Sequence, residues 1–111
     1  MRERIHLGSF ELMVLLAVIR LGDGAYGVLI SREIKERGSR AVTFGSLYAT
    51  LERLEQKGLI SSELGEPTPE RGGRAKKYFR VTTKGLREVR VTQRALQKLW
   101  QDLPRLEARR T

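Results

Sequence analysis

The forty-residue run that begins at Thr43 restricts the fold more than any other part of the chain, because its hydrophobic period changes along it. Leu47, Leu51 and Leu54 are spaced four and three residues apart, which places them on one face of a helix. Thr43 is a suitable N-cap for that helix, and Gly58 is a suitable stop. We therefore predict a helix with a buried leucine stripe that runs from Thr43 to the residue before Gly58.

The same run continues with two strand-like segments and a loop between them. Residues 59–64 and residues 77–81 have the short, alternating apolar and polar pattern of strands. Residues 65–74 hold two prolines and three glycines, which is too irregular for a helix or a strand. Helix, strand, loop and strand in this order indicate a winged helix-turn-helix, in which the two strands form the wing. The predicted fold class is α+β and mainly α.

Two further helices precede this run, and a long one follows it. We predict helix 1 over residues 9–21, with the serine at its start as the N-cap. Helix 2 is predicted over residues 26–37, with Gly38 as its C-terminal stop. Helix 3 is the leucine-striped helix described above. Helix 4 begins at residues 82–83.

The positive charge of the chain is concentrated around the predicted wing. The sequence holds 22 Lys and Arg against 13 Asp and Glu, for a net charge of +9. Residues 1–70 carry nine basic and ten acidic side chains, whereas residues 71–90 carry eight basic and one acidic. A basic block of this kind is an electrostatic footprint for a polyanion, and the alternative is a solubilising face. Its position on a wing favours nucleic acid.

Several classes of protein are excluded by what the sequence lacks. The chain has no cysteine, so disulfides, zinc fingers and thiol catalysis are excluded. His6 has no second metal ligand near it, and no P-loop or catalytic pair of carboxylates is evident. The longest apolar run, residues 12–19, is too short to span a bilayer, and the charged N-terminus does not resemble a signal peptide. We expect a cytoplasmic protein that is not an enzyme, has no cofactor or metal and does not bind a membrane.

Helix 1 and helix 4 carry more apolar surface than one small domain covers. Residues 12–19 are apolar on every face of helix 1, and such a helix has to be covered on all sides. In helix 4 a 3-4-3-4-3 heptad seam extends from Val89 to Leu106, and Pro104 should end or kink the helix. Residues 1–82 would then be the winged helix-turn-helix domain, and residues 83–111 a dimerisation helix with a basic tail in the same structural unit. We predict a homodimer with contacts from these residues: Leu12, Leu15, Leu16, Val89, Leu96, Leu99 and Leu103.

The sequence resembles the PadR-type transcriptional regulators over residues 7–90. The resemblance lies in the order and spacing of several short motifs rather than in any single one. They are LGSFEL at 7–12, AYG at 25–27, GSLY at 45–48, LERLE at 51–55, GLI at 58–60, RAKKYFRVT at 74–82 and Gly85.

This resemblance implies a function and a ligand. Members of this family differ in their C-terminal part, and the short members have only a single dimerisation helix there. The resemblance implies a short member of the family that is a homodimeric repressor and binds an inverted repeat in double-stranded DNA. Two-fold symmetry places its half-sites about one helical turn apart, ~10 bp. It also implies a small hydrophobic or aromatic effector between the subunits, near a tryptophan of the last helix. Trp100 and Leu96 then line either a ligand site or only the dimer core.

The predicted DNA contacts come from helix 3, the start of helix 2 and the wing. Ser46 and Thr50 are expected to face the groove. Tyr48 is either a phosphate or base contact, as the resemblance favours, or a core side chain with its hydroxyl at the rim. Tyr26 either donates to a phosphate near the start of helix 2 or anchors the turn. The full set is Tyr26, Thr43, Ser46, Tyr48, Thr50, Arg53, Lys57, Arg71, Arg74, Lys76 and Lys77.

Other interpretations remain open for some of these residues and for the function. Arg53 and Lys57 reach phosphates, or they pair with carboxylates of their own helix. The basic wing is also compatible with a module that docks a protein. The apolar end of helix 4 is compatible with a dimer that sequesters hydrophobic ligands and has little regulatory role.

Overall fold

The computed structural model describes residues 7–66 and 75–104 and contains the predicted elements in the predicted order. Their bounds are α1 Ser9–Leu21, a 3₁₀ turn Gly22–Gly24, α2 Gly27–Gly38, α3 Phe44–Gln56, β1 Ile60–Leu64, β2 Lys77–Val81 and α4 Thr83–Trp100. The predicted class, α+β and mainly α with a winged helix-turn-helix and a long C-terminal helix, is confirmed. In the described residues, no helix combines the length and the apolar character needed to cross a bilayer.

Two threonines cap helices where the sequence allowed it. The Thr43 Oγ1 accepts a hydrogen bond from the Ser46 N–H at 3.1 Å, which confirms the predicted start of α3. The Thr82 Oγ1 accepts one from the Gly85 N–H at 3.0 Å at the start of α4. Each bond satisfies an N–H group of the first helical turn that has no partner within its helix.

Three predicted helix ends need correction. The N-cap of α1 is Gly8 and not Ser9, because the Glu11 carboxylate accepts a hydrogen bond from the Gly8 N–H at 2.9 Å. Gly38 is the last residue of α2, and Ser39 after it takes the left-handed conformation with φ of 53°. Helix α4 ends at Trp100, several residues before Pro104.

The core lies between the three helices of the domain and one face of the wing. Leu47, Leu51 and Leu54 are all buried, as the helical spacing predicted. The other buried apolar side chains come from every element of the domain: Val14, Leu15, Ala17, Val18, Ala25, Ile30, Ile34, Leu59, Ile60, Phe79 and Val89.

The wing is an antiparallel hairpin that is anchored to the turn before α2. Ile60 of β1 lies opposite Val81 of β2, and the register continues outward along both strands. On the other edge of β2, the Phe79 N–H donates to the Ala25 carbonyl at 2.8 Å, and a bridge joins residues 26 and 78. Backbone bonds on both edges of β2 therefore hold the base of the wing in place.

The end of α3 and the start of α4 are in direct contact, although the wing separates them in the sequence. Gly58 turns the chain after α3 with φ of +78°, a conformation that favours glycine. Its carbonyl accepts from the Thr82 Oγ1 at 2.7 Å, and the Lys57 carbonyl accepts from the Lys84 Nζ at 2.9 Å. Gly85 of α4 lies against the backbone of Leu59 so closely that a Cβ would overlap the carbonyl. We call this group of contacts the α3–α4 joint.

The apolar residues of α1 and α4 divide into two sets. Leu15 is fully buried within its own chain and Val89 nearly so, which corrects the prediction that they contact a partner. Helix α1 was predicted to need a second subunit in addition to its own domain, and its own domain covers one side of it. Leu16 and Ile19 remain exposed on α1. On α4 and just after it, five large apolar side chains are exposed: Leu86 near the start of the helix, and Leu96, Leu99, Trp100 and Leu103 at its end.

Candidate nucleic-acid interface

The outer face of α3 carries small side chains. Gly45, Ser46 and Ala49 are all exposed, and a Cβ built on Gly45 has no atom within 4 Å. Glu52 and Arg53 are exposed further along the helix. Small residues let a helix backbone approach a flat or grooved partner closely, and a B-DNA major groove is about 12 Å wide, enough for a helix.

Thr50 does not belong to this face, and its assignment as a groove contact is wrong. Its side chain is 1% exposed. The hydroxyl donates to the Ser46 carbonyl at 3.0 Å and accepts from the Arg53 Nη2 at 3.1 Å, so both of its hydrogen-bonding functions are used inside the protein. Thr50 therefore positions the guanidinium of Arg53, and Arg53 keeps its place on the exposed surface.

Lys57 is held by an ion pair with α1. Its Nζ lies 2.9 Å from the Glu11 Oε2; the Glu11 side chain is largely buried, and the Lys57 side chain is partly exposed. Burial favours the neutral carboxyl, but the Gly8 N–H and the Lys57 ammonium outweigh it, so the pKa of Glu11 lies below its ordinary value. This geometry favours carboxylate pairing over phosphate contact for Lys57, although the partner is on α1. The Glu55 carboxylate accepts from the Ser62 Oγ at 2.7 Å.

Tyr48 connects α3 to the start of α2. Its hydroxyl end lies directly over Gly27, where a Cβ would come within 2.7 Å of the Tyr48 Cζ. The ring is also 6.4 Å from the ring of Phe44, one turn earlier. The side chain is exposed rather than buried, and the N-terminus of a helix attracts anions. The hydroxyl of Tyr48 is thus at a position where a phosphate is favoured.

Tyr26 brings the wing to the same place. It is the N-cap residue of α2, and its ring meets that of Tyr78 edge-on at 5.7 Å. The Lys76 Nζ lies 4.4 Å from the centre of the Tyr26 ring, within the range of a cation–π contact. The structure therefore brings Tyr26, Tyr48 and Lys76 to the N-terminal end of α2, beside the exposed face of α3.

The second lysine of the wing is Lys77, at the start of β2. Lys77 is exposed, with its Nζ 5.7 Å from the Phe79 ring. Arg71 and Arg74 lie outside the described residues. Arg80 is exposed as well, but its guanidinium pairs with Asp23 at 3.0 Å.

Sequence reasoning missed one exposed residue, Phe44. It is the first residue of α3 and is 52% exposed. Because it precedes Leu47 by three residues, periodicity alone assigns it to the buried stripe. The signal against burial is its position next to the Thr43 cap, in the first turn of the helix.

The predicted ligand residues lie at the free end of α4. Trp100 is 75% exposed, and Leu96 is also exposed. Both therefore depend on a second chain for any enclosed site.

The chain is similar to known proteins of one family. The profile of the transcriptional regulator PadR-like family matches residues 15–91. A transcriptional regulator of Mycobacterium tuberculosis is 36% identical over 74 residues, which are 67% of this chain and 64% of that protein. The chain thus matches slightly less than two thirds of that relative's length.

Solved structures share the fold over most of the chain. A PadR-like transcription factor of Bacteroides fragilis is 30% identical, with a TM-score of 0.68 over 81% of this chain and 82% of that one. A PadR family regulator of Clostridium difficile has a TM-score of 0.70 at 24% identity, over 84% of this chain and 92% of that one, and this likeness concerns the fold alone. The chain belongs to the PadR-like family of transcriptional regulators.

Proposed function

We propose that this regulator is a homodimeric repressor that binds an inverted repeat, with one α3 helix in each of two successive major grooves. Two-fold symmetry sets the half-sites about one turn of DNA apart, ~10 bp. The observation that carries the proposal is that Lys76 of the wing and Tyr48 of α3 meet at the start of α2: the Lys76 Nζ lies 4.4 Å from the centre of the Tyr26 ring, and Tyr48 lies over the adjacent Gly27. A helix face without apolar cover and a basic hairpin beside it fit a groove and its flanking phosphates.

The proposed DNA contacts differ by element. On α3 they are Thr43 and Ser46 near the start, Tyr48 on one flank and Arg53 on the other. At the start of α2, Tyr26 lies where the helix dipole favours a phosphate. On the wing the contacts are Lys76, Lys77, Arg71 and Arg74. We leave out Lys57, because its ammonium is paired with Glu11 at 2.9 Å, and Thr50, because it is buried.

The exposed end of α4 supports the homodimer. Leu99 and Trp100 are 73% and 75% exposed in the single chain, and Leu96 and Leu103 lie on the same segment. Full burial of one such side chain contributes roughly 1.5–3 kcal/mol, so four from each copy supply a strong driving force. Leu16 and Ile19 of α1 offer an exposed apolar surface for the partner's α4. Leu12, which is half-buried, lies on the same helix.

The same interface is the proposed site for an effector. A small hydrophobic or aromatic compound would bind between the subunits against Trp100 and Leu96. Such a compound shifts the dimer only if it binds one arrangement of α4 better than another. The α3–α4 joint would carry that rearrangement to α3, because hydrogen bonds from Thr82 and Lys84 tie the two helices together.

The test is selection of bound sequences from random duplex DNA by the full chain. The selected duplex is then titrated by fluorescence anisotropy at two salt concentrations. We expect an enriched inverted repeat, bound by a dimer, with an affinity that falls as salt rises. Weak binding without enrichment would contradict the proposal and favour the alternative in which the wing docks a protein.

A matched pair of variants separates the wing from general charge. Lys77→Gln removes one charge at the wing, and Lys35→Gln removes one charge near the far end of α2, where the side chain is also exposed. Only Lys77→Gln should weaken operator binding. Equal effects of the two variants would mean that net charge alone governs the affinity.

A further inference from the structure

Phe44 is an exposed aromatic side chain at the leading end of the recognition helix. It is the first residue of α3, directly after the Thr43 cap, and 52% of it is exposed to solvent. Its neighbours Gly45 and Ser46 are exposed too. The Phe44 ring lies next to the Tyr48 ring, which is also exposed, so the two form an exposed aromatic pair at this end of α3.

The backbone cap and one neighbouring ring define the surroundings of Phe44. The Thr43 Oγ1 accepts from the Ser46 N–H at 3.1 Å and so sets the direction of the first turn. The Phe44 ring lies 6.4 Å from the Tyr48 ring at a tilt of 37°, which supports it from one side. Tyr48 is in turn seated against Gly27 at the start of α2. Phe44 is therefore held at the end of α3 that enters a groove first.

The surroundings of Phe44 offer few hydrogen-bond donors for reading base edges. Gly45 and Ala49, which complete this part of the outer face, carry no polar side-chain atoms. Thr43, Ser46 and Tyr48 supply one hydroxyl each, and a single hydroxyl cannot form a bidentate bond to a base edge. A helix end of this composition recognises a groove by shape and by apolar contact rather than by several bidentate hydrogen bonds.

The major groove presents one apolar group to such a surface. Thymine carries a C5 methyl there, whereas the other three bases present donors and acceptors, and phenylalanine is among the side chains that contact this methyl. We propose that Phe44 contacts a thymine methyl in each half-site and is a specificity-determining residue of the regulator. This inference rests on the proposed function, since it requires α3 to lie in the major groove.

The test removes the methyl from the DNA and the ring from the protein. Each thymine of the selected operator is replaced in turn by deoxyuridine, which lacks only the C5 methyl. The duplexes are titrated with the wild-type dimer and with Phe44→Ala. We expect one thymine per half-site at which deoxyuridine weakens wild-type binding about fourfold, as the loss of one buried methyl group predicts. Phe44→Ala should bind the two duplexes equally.

A second variant distinguishes apolar contact from folding. Phe44→Leu keeps an apolar side chain and should retain part of the discrimination, and both variants should unfold at nearly the wild-type temperature because residue 44 is half exposed. Deoxyuridine at a thymine outside the half-sites is the control and should change nothing.

The outcomes separate the two proposals. If the wild type selects an operator but no half-site thymine is sensitive to deoxyuridine, the Phe44 inference is overturned and the proposed function stands. The same holds if Phe44→Ala discriminates as well as the wild type. If the wild type selects no DNA, both proposals fail together.

Discussion

Gly85 is the position where a single added methyl group should do the most damage. It lies in the first turn of α4, against the backbone of Leu59, at the α3–α4 joint. A Cβ at residue 85 would overlap the Leu59 carbonyl oxygen and come within 2.7 Å of the Val81 Cγ1. The carbonyl belongs to the main chain and cannot rotate away as a side chain would. The Leu59 carbonyl also accepts a hydrogen bond from the Thr82 N–H at 3.0 Å, so moving it weakens a second contact.

The expected magnitude follows from two opposing effects. Replacing glycine by alanine in a helix favours folding by about 1 kcal/mol. Forcing a methyl group into a filled site costs about 1–3 kcal/mol, and a backbone obstacle argues for the upper part of that range. Gly85→Ala should therefore lower the free energy of unfolding by ~1–2 kcal/mol. For a domain of this size, that corresponds to a fall in Tm of roughly 5–15 °C.

Gly45→Ala is the matched control, because it makes the same change in a helix with open space around it. A Cβ at Gly45 meets no atom within 4 Å, so only the gain in helix propensity remains, up to about 1 kcal/mol. Thermal and urea unfolding should be compared at one protein concentration, since the stability of a dimer depends on it. If Gly85→Ala were as stable as the wild type, the close packing at the joint would be refuted.

Three further perturbations test other contacts. The pKa of Glu11 is lower in the folded protein than in the unfolded chain, so its ionised carboxylate stabilises the fold above the ordinary pKa, and this contribution is lost as pH falls through the folded value. Glu11→Gln should therefore be less stable than the wild type in urea at pH 7, and the difference should shrink by pH 3. A difference that does not change with pH would contradict the ion pair with Lys57. The double variant of Lys76 and Lys77 to Gln should reduce the slope of log affinity against log salt by about 0.9 for each lost phosphate contact; an unchanged slope would remove these lysines from the interface. Leu99→Glu should yield a folded monomer in analytical ultracentrifugation, and a persistent dimer would place the interface elsewhere.

The fold was largely predictable because its signals are local. A helical leucine spacing, a threonine cap and a glycine stop define α3, and alternation defines β2 at its observed bounds, Lys77–Val81. The start of α1 was assigned wrongly because serine and glycine are both acceptable N-caps. Glu11 determines which residue is the N-cap, because its carboxylate accepts a hydrogen bond from the Gly8 N–H. That bond depends on a side chain three residues further along.

The site was less predictable because burial at the edge of a stripe depends on tertiary packing. Thr50 lies between Leu47 and Leu51 in sequence, about 60° from the leucine stripe at 100° per residue. Because threonine is polar, residue 50 was predicted to lie on the exposed face of the helix. Burial is tolerated because the hydroxyl bonds to the Ser46 carbonyl and to Arg53, so no polar group is left without a partner.

The two sets of apolar residues in α1 and α4 illustrate the same limit. A helix that is apolar on every face shows that cover is needed, but not how much of it the chain supplies itself. Leu15 is covered by its own domain and the adjacent Leu16 is not. Which of the two faces inward is decided by how α2, α3 and β2 dock on α1, and these contacts are distant in sequence.

In the proposed dimer, the α3–α4 joint would connect the proposed DNA-binding helix to the proposed dimerisation helix through hydrogen bonds. The Thr82 hydroxyl donates to the Gly58 carbonyl, and the Lys84 ammonium donates to the Lys57 carbonyl. Gly85 packs against the backbone of Leu59, with no space for an added side chain between them. A rotation of α4 must therefore either carry α3 with it or break two hydrogen bonds at once. In the proposed dimer, the distance between the two α3 helices is then a property of α4 packing. Affinity for a spaced inverted repeat should depend on that packing far more than affinity for random DNA, which needs only one basic surface at a time.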